Sequence, residues 1–175
     1  MVQLTDILLV YMIHNIHSAP FTISCSVRGR ALLCLASAAS SESSEVTEAV
    51  KTIVFFPSTT DPLMATANSE PSDSVILQMV RRRTTDEKVG VRKAALQALE
   101  SLIRLDTSIT SKEDVDVVYE RCLDPALSVR KQAIVSLTVL TVERMDCTIL
   151  HRLVSVCISC PLVSYMYCTV PEESC

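Results

Sequence analysis

The chain has 175 residues, a net charge of −4 and an isoelectric point near 5.4. A chain of this length can bury one ordinary core, so a single domain or a segment of a larger array is expected. With 2 glycines and 4% aromatic residues, the composition favours helices packed on helices. The acidic balance excludes a nucleic-acid binder that works through bulk positive charge.

Residues 1–56 are predicted to form N-terminal helices that include one degenerate repeat unit. The first apolar run lacks the basic opening of a signal peptide and follows Asp6, so a buried helix is the preferred interpretation. The stretch VRGRALLCL at residues 27–35 has valine, arginine, alanine and leucine at the spacing found in two later stretches. We therefore treat it as the first and weakest copy of a repeat.

Residues 57–74 are predicted to be a linker. They are rich in proline, serine and threonine, which favour exposed and irregular structure. The linker also accounts for a difference in repeat spacing, because the first and second copies are 64 residues apart whereas the second and third are 38 apart. About one helix and one loop have been added between the first two copies.

Residues 75–145 are predicted to hold two tandem helix pairs. VRKAALQAL at residues 91–99 and VRKQAIVSL at residues 129–137 are close copies, and the alignment extends back without gaps to Asp86 and Asp124. Apolar residues at helical spacing also precede each copy, at residues 74–83 and 112–123. The repeating unit is therefore a helix, a short turn and a second helix.

Each later copy places an arginine among its apolar residues. On a helical projection, Arg92 and Arg130 fall inside the arc of about 140° that the buried side chains occupy. A guanidinium in an apolar stripe needs an acceptor, and a carboxylate matches its donor fork. Asp86 and Asp124, six positions upstream, are the predicted acceptors, within one repeat or across to its neighbour. We interpret these four residues as a structural ladder between repeats.

The basic residues allow two interpretations. Arg81, Arg82 and Arg83 end a helical pattern, where the helix dipole favours positive charge. Alternatively, they form a local patch that contacts DNA phosphate or an acidic chromatin partner. Residues 75–140 hold eleven Lys or Arg against nine Asp or Glu, so binding by this segment alone should be weak. The full candidate set is Arg81, Arg82, Arg83, Lys88, Lys93 and Lys131.

Residues 146–175 are predicted to be an irregular cysteine-rich tail. Cys157 and Cys160 have the spacing of a zinc-binding pair, but no second pair at usual spacing follows, so no metal site is predicted. Residues 153–170 carry no charge and just reach the length of a membrane span, although Pro161 and several hydroxyl residues argue against one. The eight cysteines fit a reduced intracellular chain better than a secreted disulfide scaffold.

The pattern of Asp, four residues, Val-Arg, and then Ala and Leu, on the second helix of a pair, resembles the HEAT repeat. Beyond this generic unit, residues 75–140 resemble the D-type non-SMC HEAT subunits of condensin II. The resemblance implies an all-α fold, an α-solenoid of about three HEAT-like helix pairs followed by an irregular tail. It fades after Leu140.

The family resemblance implies a non-catalytic scaffold that acts in mitotic chromosome condensation, in the nucleus and on chromosomes. Implied partners are the other condensin II subunits, the kleisin and the SMC ATPases, together with chromatin. We do not expect an enzyme or a bound cofactor, because the chain has no glycine-rich phosphate loop and only three histidines. Membrane attachment is not expected either. Alternatives are another HEAT solenoid, such as a transport receptor or phosphatase scaffold, or a secreted or membrane-tethered cysteine-rich protein.

Overall fold

The computed structural model describes residues 24–55, 74–106 and 111–144, and the isolated residues 151, 154 and 155. Over these residues the chain is helical and contains no strand. A short 3-10 turn, Arg121–Leu123, separates the last two long helices. The helices are α1 (Cys25–Ala39), α2 (Ser44–Phe55), α3 (Val75–Arg83), α4 (Val89–Leu105), α5 (Lys112–Glu120) and α6 (Leu127–Arg144).

Polar side chains define where the helices begin. Ser74 precedes α3, and its hydroxyl accepts a hydrogen bond from the Leu77 N–H at 3.3 Å. At the start of α5, the Asp114 carboxylate accepts from the Ser111 N–H at 2.8 Å. Because the first N–H groups of a helix lack partners within the helix, these bonds stabilise the first turn.

The helices form two layers. Helices α3 and α5 each pair with the helix that follows, giving the predicted pairs α3–α4 and α5–α6. The second helices, α4 and α6, pack on each other, and α1 packs on the other side of α4. We call α1, α4 and α6 the inner row. A hydrogen bond joins α1 and α4 near their ends, where the Ser40 hydroxyl donates to the Ser101 hydroxyl at 3.0 Å. A Cβ at Gly29 would lie 4.0 Å from Val91 near their beginnings, so these two helices run parallel.

Helix α4 contributes more buried apolar residues to the core than any other described helix. It lies between α1 and α6, and small or aliphatic side chains on opposite sides of it are buried. The buried surface is wider than the arc of about 140° predicted from the 3.6-residue periodicity, because Ala94 and Ala98 lie outside that arc and are buried as well. The buried apolar residues of α4 are Val91, Ala94, Ala95, Leu96, Ala98, Leu99, Leu102 and Ile103.

Helix α2, Ser44–Phe55, is part of the extra sequence between the first and second repeats, which had been assigned to the predicted linker at residues 57–74. It packs on α1 and α3, and it buries Val50, Val54 and Phe55 in the common core. The insertion does not interrupt the inner row, because α1 still contacts α4 directly. The added helix therefore lies beside the row, and residues 56–73 of the predicted linker lie outside the described residues.

The structure changes one boundary predicted from the sequence. Ser74, assigned to the end of the exposed linker, is 7% exposed and belongs to the cap of α3. Cys34 is exposed, whereas Cys122 is buried. Among the described helices, none has both the length and the apolar character needed to cross a membrane. Most of the cysteine-rich tail, including residues 156–175, lies outside the described residues.

Candidate interaction surface

The turns between paired helices are built around an aspartate. The Asp86 carboxylate accepts from the Lys88 N–H at 3.0 Å, and the Asp124 carboxylate accepts from the Ala126 N–H at 2.9 Å. Bonds of this kind, from a side chain to a backbone N–H two residues on, hold a tight turn before a helix. The two turns are equivalent at the repeat offset of 38 residues, so the same local chemistry orients both carboxylates.

Arginines of the inner row bind these aspartates across the repeat boundary. Arg28 donates through Nε and Nη2 to the two carboxylate oxygens of Asp86, each at 3.2 Å. Arg92 repeats the arrangement one unit later and donates to Asp124 at 2.8 and 2.9 Å. Both pairs are bidentate and nearly enclosed, which is the geometry in which arginine and carboxylate bind most strongly.

Within each repeat, the arginine instead contacts the backbone of the preceding turn. Arg92 Nη1 donates to the carbonyl of Asp86 at 2.9 Å, and Arg130 Nη1 donates to the carbonyl of Asp124 at 2.8 Å. Each predicted aspartate therefore accepts hydrogen bonds from two arginines. Its backbone carbonyl accepts from the arginine of its own repeat, and its carboxylate accepts from the arginine of the preceding repeat. Arg28 is the first arginine of the series. Its position 64 residues before Arg92 was the sequence signal from which its pairing with Asp86 could have been predicted.

Arg130 ends this series in the described part of the chain. Its Nη1 also donates to the Pro125 carbonyl at 3.0 Å, but its Nε and Nη2 have no hydrogen-bond partner among the described residues. The side chain is half-buried. Its own turn therefore orients the Arg130 guanidinium, and no carboxylate of the described residues contacts the edge that binds aspartate in Arg28 and Arg92.

The ion pairs lower the pKa of both aspartates. Burial acts to raise the pKa of Asp86, but hydrogen bonds from the turn and from Arg28, with nearby guanidinium charge, outweigh it. Burial likewise acts to raise the pKa of Asp124, and the Arg92 hydrogen bond and charge outweigh it. The pKa of each carboxyl thus lies below its ordinary value, and both remain ionised under neutral conditions.

A second buried pair lies between the outer helices. Arg81 Nε lies 2.5 Å from Asp114, whose side chain is fully buried, and Arg81 Nη2 donates to the Ser111 hydroxyl at 3.3 Å. Arg83 Nη1 lies 3.6 Å from Asp86. Sequence reasoning placed both arginines in a patch for chromatin, but their side chains face carboxylates of the solenoid. No sequence signal linked Arg81 to Asp114, because 33 residues separate them.

Four of the six candidate contact residues are exposed. Arg82, Lys88, Lys93 and Lys131 present their side chains to solvent. Lys93 and Lys131 occupy equivalent positions directly after Arg92 and Arg130, where the helical projection had turned them away from the core. The structure therefore separates the six candidates into two arginines that pair with aspartates of the solenoid and four residues that are exposed.

Polar contacts that sequence reasoning did not predict join α4 to α6. The buried Ser136 hydroxyl donates to the Glu100 carboxylate at 2.5 Å, and Arg104 Nε donates to Glu143 at 2.8 Å. The charged pair is about two-fifths exposed, so it contributes little free energy. No group of His, Cys, Asp or Glu among the described residues could hold a metal ion, and most of the tail cysteines lie outside them.

Stacked helix pairs joined by Arg–Asp contacts define an all-α solenoid of HEAT-like repeats, which confirms the fold class predicted from the sequence. A family model described as the HEAT repeat associated with sister chromatid cohesion matches residues 64–99. This match includes α3, the first aspartate turn and the beginning of α4.

Two curated proteins are similar to part of the chain. Condensin-2 complex subunit D3-L of Xenopus laevis is 42% identical over 77 residues, which are 44% of this chain and 5% of that protein. Condensin-2 complex subunit D3 of Mus musculus is 35% identical over 77 residues, with the same coverage. The predicted resemblance to D-type condensin II subunits is thus confirmed, and the chain spans 5% of the length of these relatives. No solved structure matches the chain.

Proposed function

We propose that the chain is a non-catalytic HEAT scaffold segment of a condensin II regulatory subunit. The observation that carries the proposal is the 42% identity over 77 residues to a condensin-2 D3 protein, in a chain built from stacked helix pairs. A solenoid of this kind offers extended helix faces for binding other proteins. Its role is in mitotic chromosome condensation, in the nucleus and on chromosomes.

The proposed partners are the other condensin II subunits, namely the kleisin and the SMC ATPases. The test is affinity capture by the whole tagged chain from a mitotic extract, with immunoblotting for each subunit. The matched control is Leu99→Asp, which places a charge in the fully buried centre of α4. We expect capture by the wild type and loss of capture by the control. Equal recovery with both chains contradicts the proposal.

A weak contact with chromatin, through DNA or histone, is the second part of the proposal. Arg82, Lys88, Lys93 and Lys131 are the exposed cations that support it. With only two positive residues in excess over residues 75–140, the contact should be sensitive to salt. The experiment measures retention on immobilised DNA and on histones at low salt, comparing the wild type with Arg82→Glu/Lys88→Glu. Unchanged retention on both matrices removes these two residues from the contact.

A further inference from the structure

The inner row has a one-sided charge distribution at its beginning. Residues 25–35 of α1, 89–97 of α4 and 127–135 of α6 contain no aspartate or glutamate. The positive charges of Arg28 and Arg92 are balanced by the aspartates they bind, whereas Lys93 and Lys131 are exposed and form no ion pair among the described residues. Parallel packing also brings the positive ends of the helix dipoles to the same edge of the row.

Aliphatic side chains are exposed beside these lysines. Val89 lies one helical turn before Lys93, and Leu127 lies one turn before Lys131, so each pair shares a helix face. Val89 is 41% exposed and Leu127 is 42% exposed. One turn beyond Lys131, Val135 is 51% exposed. The pattern therefore recurs in successive helices, as expected for a surface that runs along the solenoid.

A fourth aliphatic residue extends the surface to the first helix. Leu33 of α1 is 46% exposed and stands at the position equivalent to Val135 when the two repeat offsets are applied. Neighbouring packed helices are about 8–10 Å apart and four residues advance a helix by about 6 Å, so side chains at these positions are close enough to form one surface. We call the surface formed by Leu33, Val89, Lys93, Leu127, Lys131 and Val135 the row face.

We propose that the row face binds an acidic protein segment that carries aliphatic side chains. Acidic groups would meet Lys93 and Lys131, and aliphatic groups would cover the exposed valines and leucines. The absence of carboxylates along the first turns of all three helices gives this end of the row the complementary charge. This proposal deepens the proposed scaffold function, on which it rests, by defining the chemistry of one protein partner.

The apolar component distinguishes this ligand from DNA. Phosphate groups are recognised by cations and N–H donors, and a backbone contact gains little from exposed leucine or valine. An acidic aliphatic segment uses both features of the row face, because it pairs with the lysines and removes apolar surface from water. DNA binding at the row face is therefore an outcome that the experiment must be able to detect.

The experiment measures fluorescence anisotropy of labelled probes titrated with the whole purified chain. The probes are a peptide of repeated Glu-Leu-Asp-Val units, a peptide of repeated Glu-Ser-Asp-Ser units and a DNA duplex of similar length. Two test variants are Lys93→Glu/Lys131→Glu and Leu127→Ser/Val135→Ser. The matched control is Lys112→Glu/Val75→Ser, which changes an exposed lysine and an exposed valine of the outer helices. Thermal unfolding checks that every variant is folded.

We expect the aliphatic peptide to bind at least about tenfold more tightly than the serine peptide or DNA. Each test variant should weaken that binding by about tenfold, and the control should change it by less than about twofold. Tighter binding of DNA, equal binding of both peptides, or unchanged affinity of the test variants overturns the row-face proposal. Failure to capture condensin subunits overturns the proposed function instead, since the peptide titration uses no extract.

Discussion

The same arginine position has different surroundings along the inner row. Arg92 binds the Asp124 carboxylate through two bonds and the preceding turn through others, whereas Arg130 has only the turn contacts among the described residues. A buried ion pair adds little net stability relative to well-packed apolar groups, but removing one partner leaves an uncompensated charge. The cost of losing an arginine should therefore depend on whether a carboxylate faces it.

We predict that Arg92→Ala lowers the free energy of unfolding by about 3–5 kcal/mol, because it leaves Asp124 buried and without its bidentate partner. Arg130→Ala should cost about 1 kcal/mol, since it removes only hydrogen bonds to backbone carbonyls. Urea denaturation followed by circular dichroism measures both. Lys93→Ala is the matched control at an exposed position and should change stability by less than about 0.5 kcal/mol. Equal losses for both arginines would be inconsistent with this geometry.

Acid should weaken the ladder through its aspartates. Because the folded pKa of Asp124 lies below the unfolded value, its contribution is fully present above the unfolded pKa. That contribution disappears as the pH falls through the folded pKa. We predict that Asp124→Asn is less stable than the wild type at neutral pH but loses less stability between about pH 5 and about pH 3. Urea midpoints across this range test the prediction, and parallel loss in both proteins would contradict it.

Sequence alone predicted part of this site. The helical projection correctly placed Arg92 in a buried arc, and the repeat offset identified the aspartate turns. The sequence did not show whether each arginine binds the aspartate of its own repeat or that of the next repeat. A helical projection describes one helix and cannot show which neighbouring helix packs against it. Pairs such as Arg81 and Asp114 depend entirely on how two outer helices stack. Long-range geometry of this kind leaves no periodic trace in the sequence.

At the scale of helices, the boundaries follow local chemistry. The pattern at residues 112–123 predicted one continuous helix, but α5 ends at Glu120 and a 3-10 turn follows. Pro125 disfavours helical backbone at Asp124, so the chain must leave the helix before that residue. Leu123 consequently lies in the turn, where its side chain is 74% exposed rather than packed.

The beginning of α5 gives a prediction about the outer helices. Asp114 accepts hydrogen bonds from the Ser111 backbone and side chain and also binds Arg81. We expect Asp114→Ala to cost about 2–4 kcal/mol, through loss of the cap and of the buried charge pair. Glu113→Ala, in the same first turn but exposed, should cost less than about 0.5 kcal/mol.

A double-mutant cycle with Arg81→Ala tests whether Asp114 joins α5 to α3. If the two side chains interact as placed, the combined loss of stability should be smaller than the sum of the single losses. Additive losses would show that Asp114 acts only within α5. Urea denaturation of the four proteins supplies the values.

At the scale of the whole molecule, the sequence repeat predicted the helix pairs, and the wider first spacing predicted added structure. The sequence could not predict where the added helix α2 packs, since α2 could have separated α1 from α4. It packs on α1 and α3 instead, and the inner row remains continuous. In such an array, stability is approximately the sum of each unit and its contacts with its neighbours. The middle helix therefore influences both ends of the described solenoid.

A substitution in the centre of α4 tests this coupling. Leu99 is fully buried, so Leu99→Ala should lower the free energy of unfolding by about 2–5 kcal/mol, whereas Val142→Ala, at a 68% exposed site, should cost less than about 0.5 kcal/mol. Because α4 contacts both neighbours of the inner row, the Leu99 change should lower amide-exchange protection in α1 and in α6 together. Lower protection in only one of them would mean that the row is not a single cooperative unit.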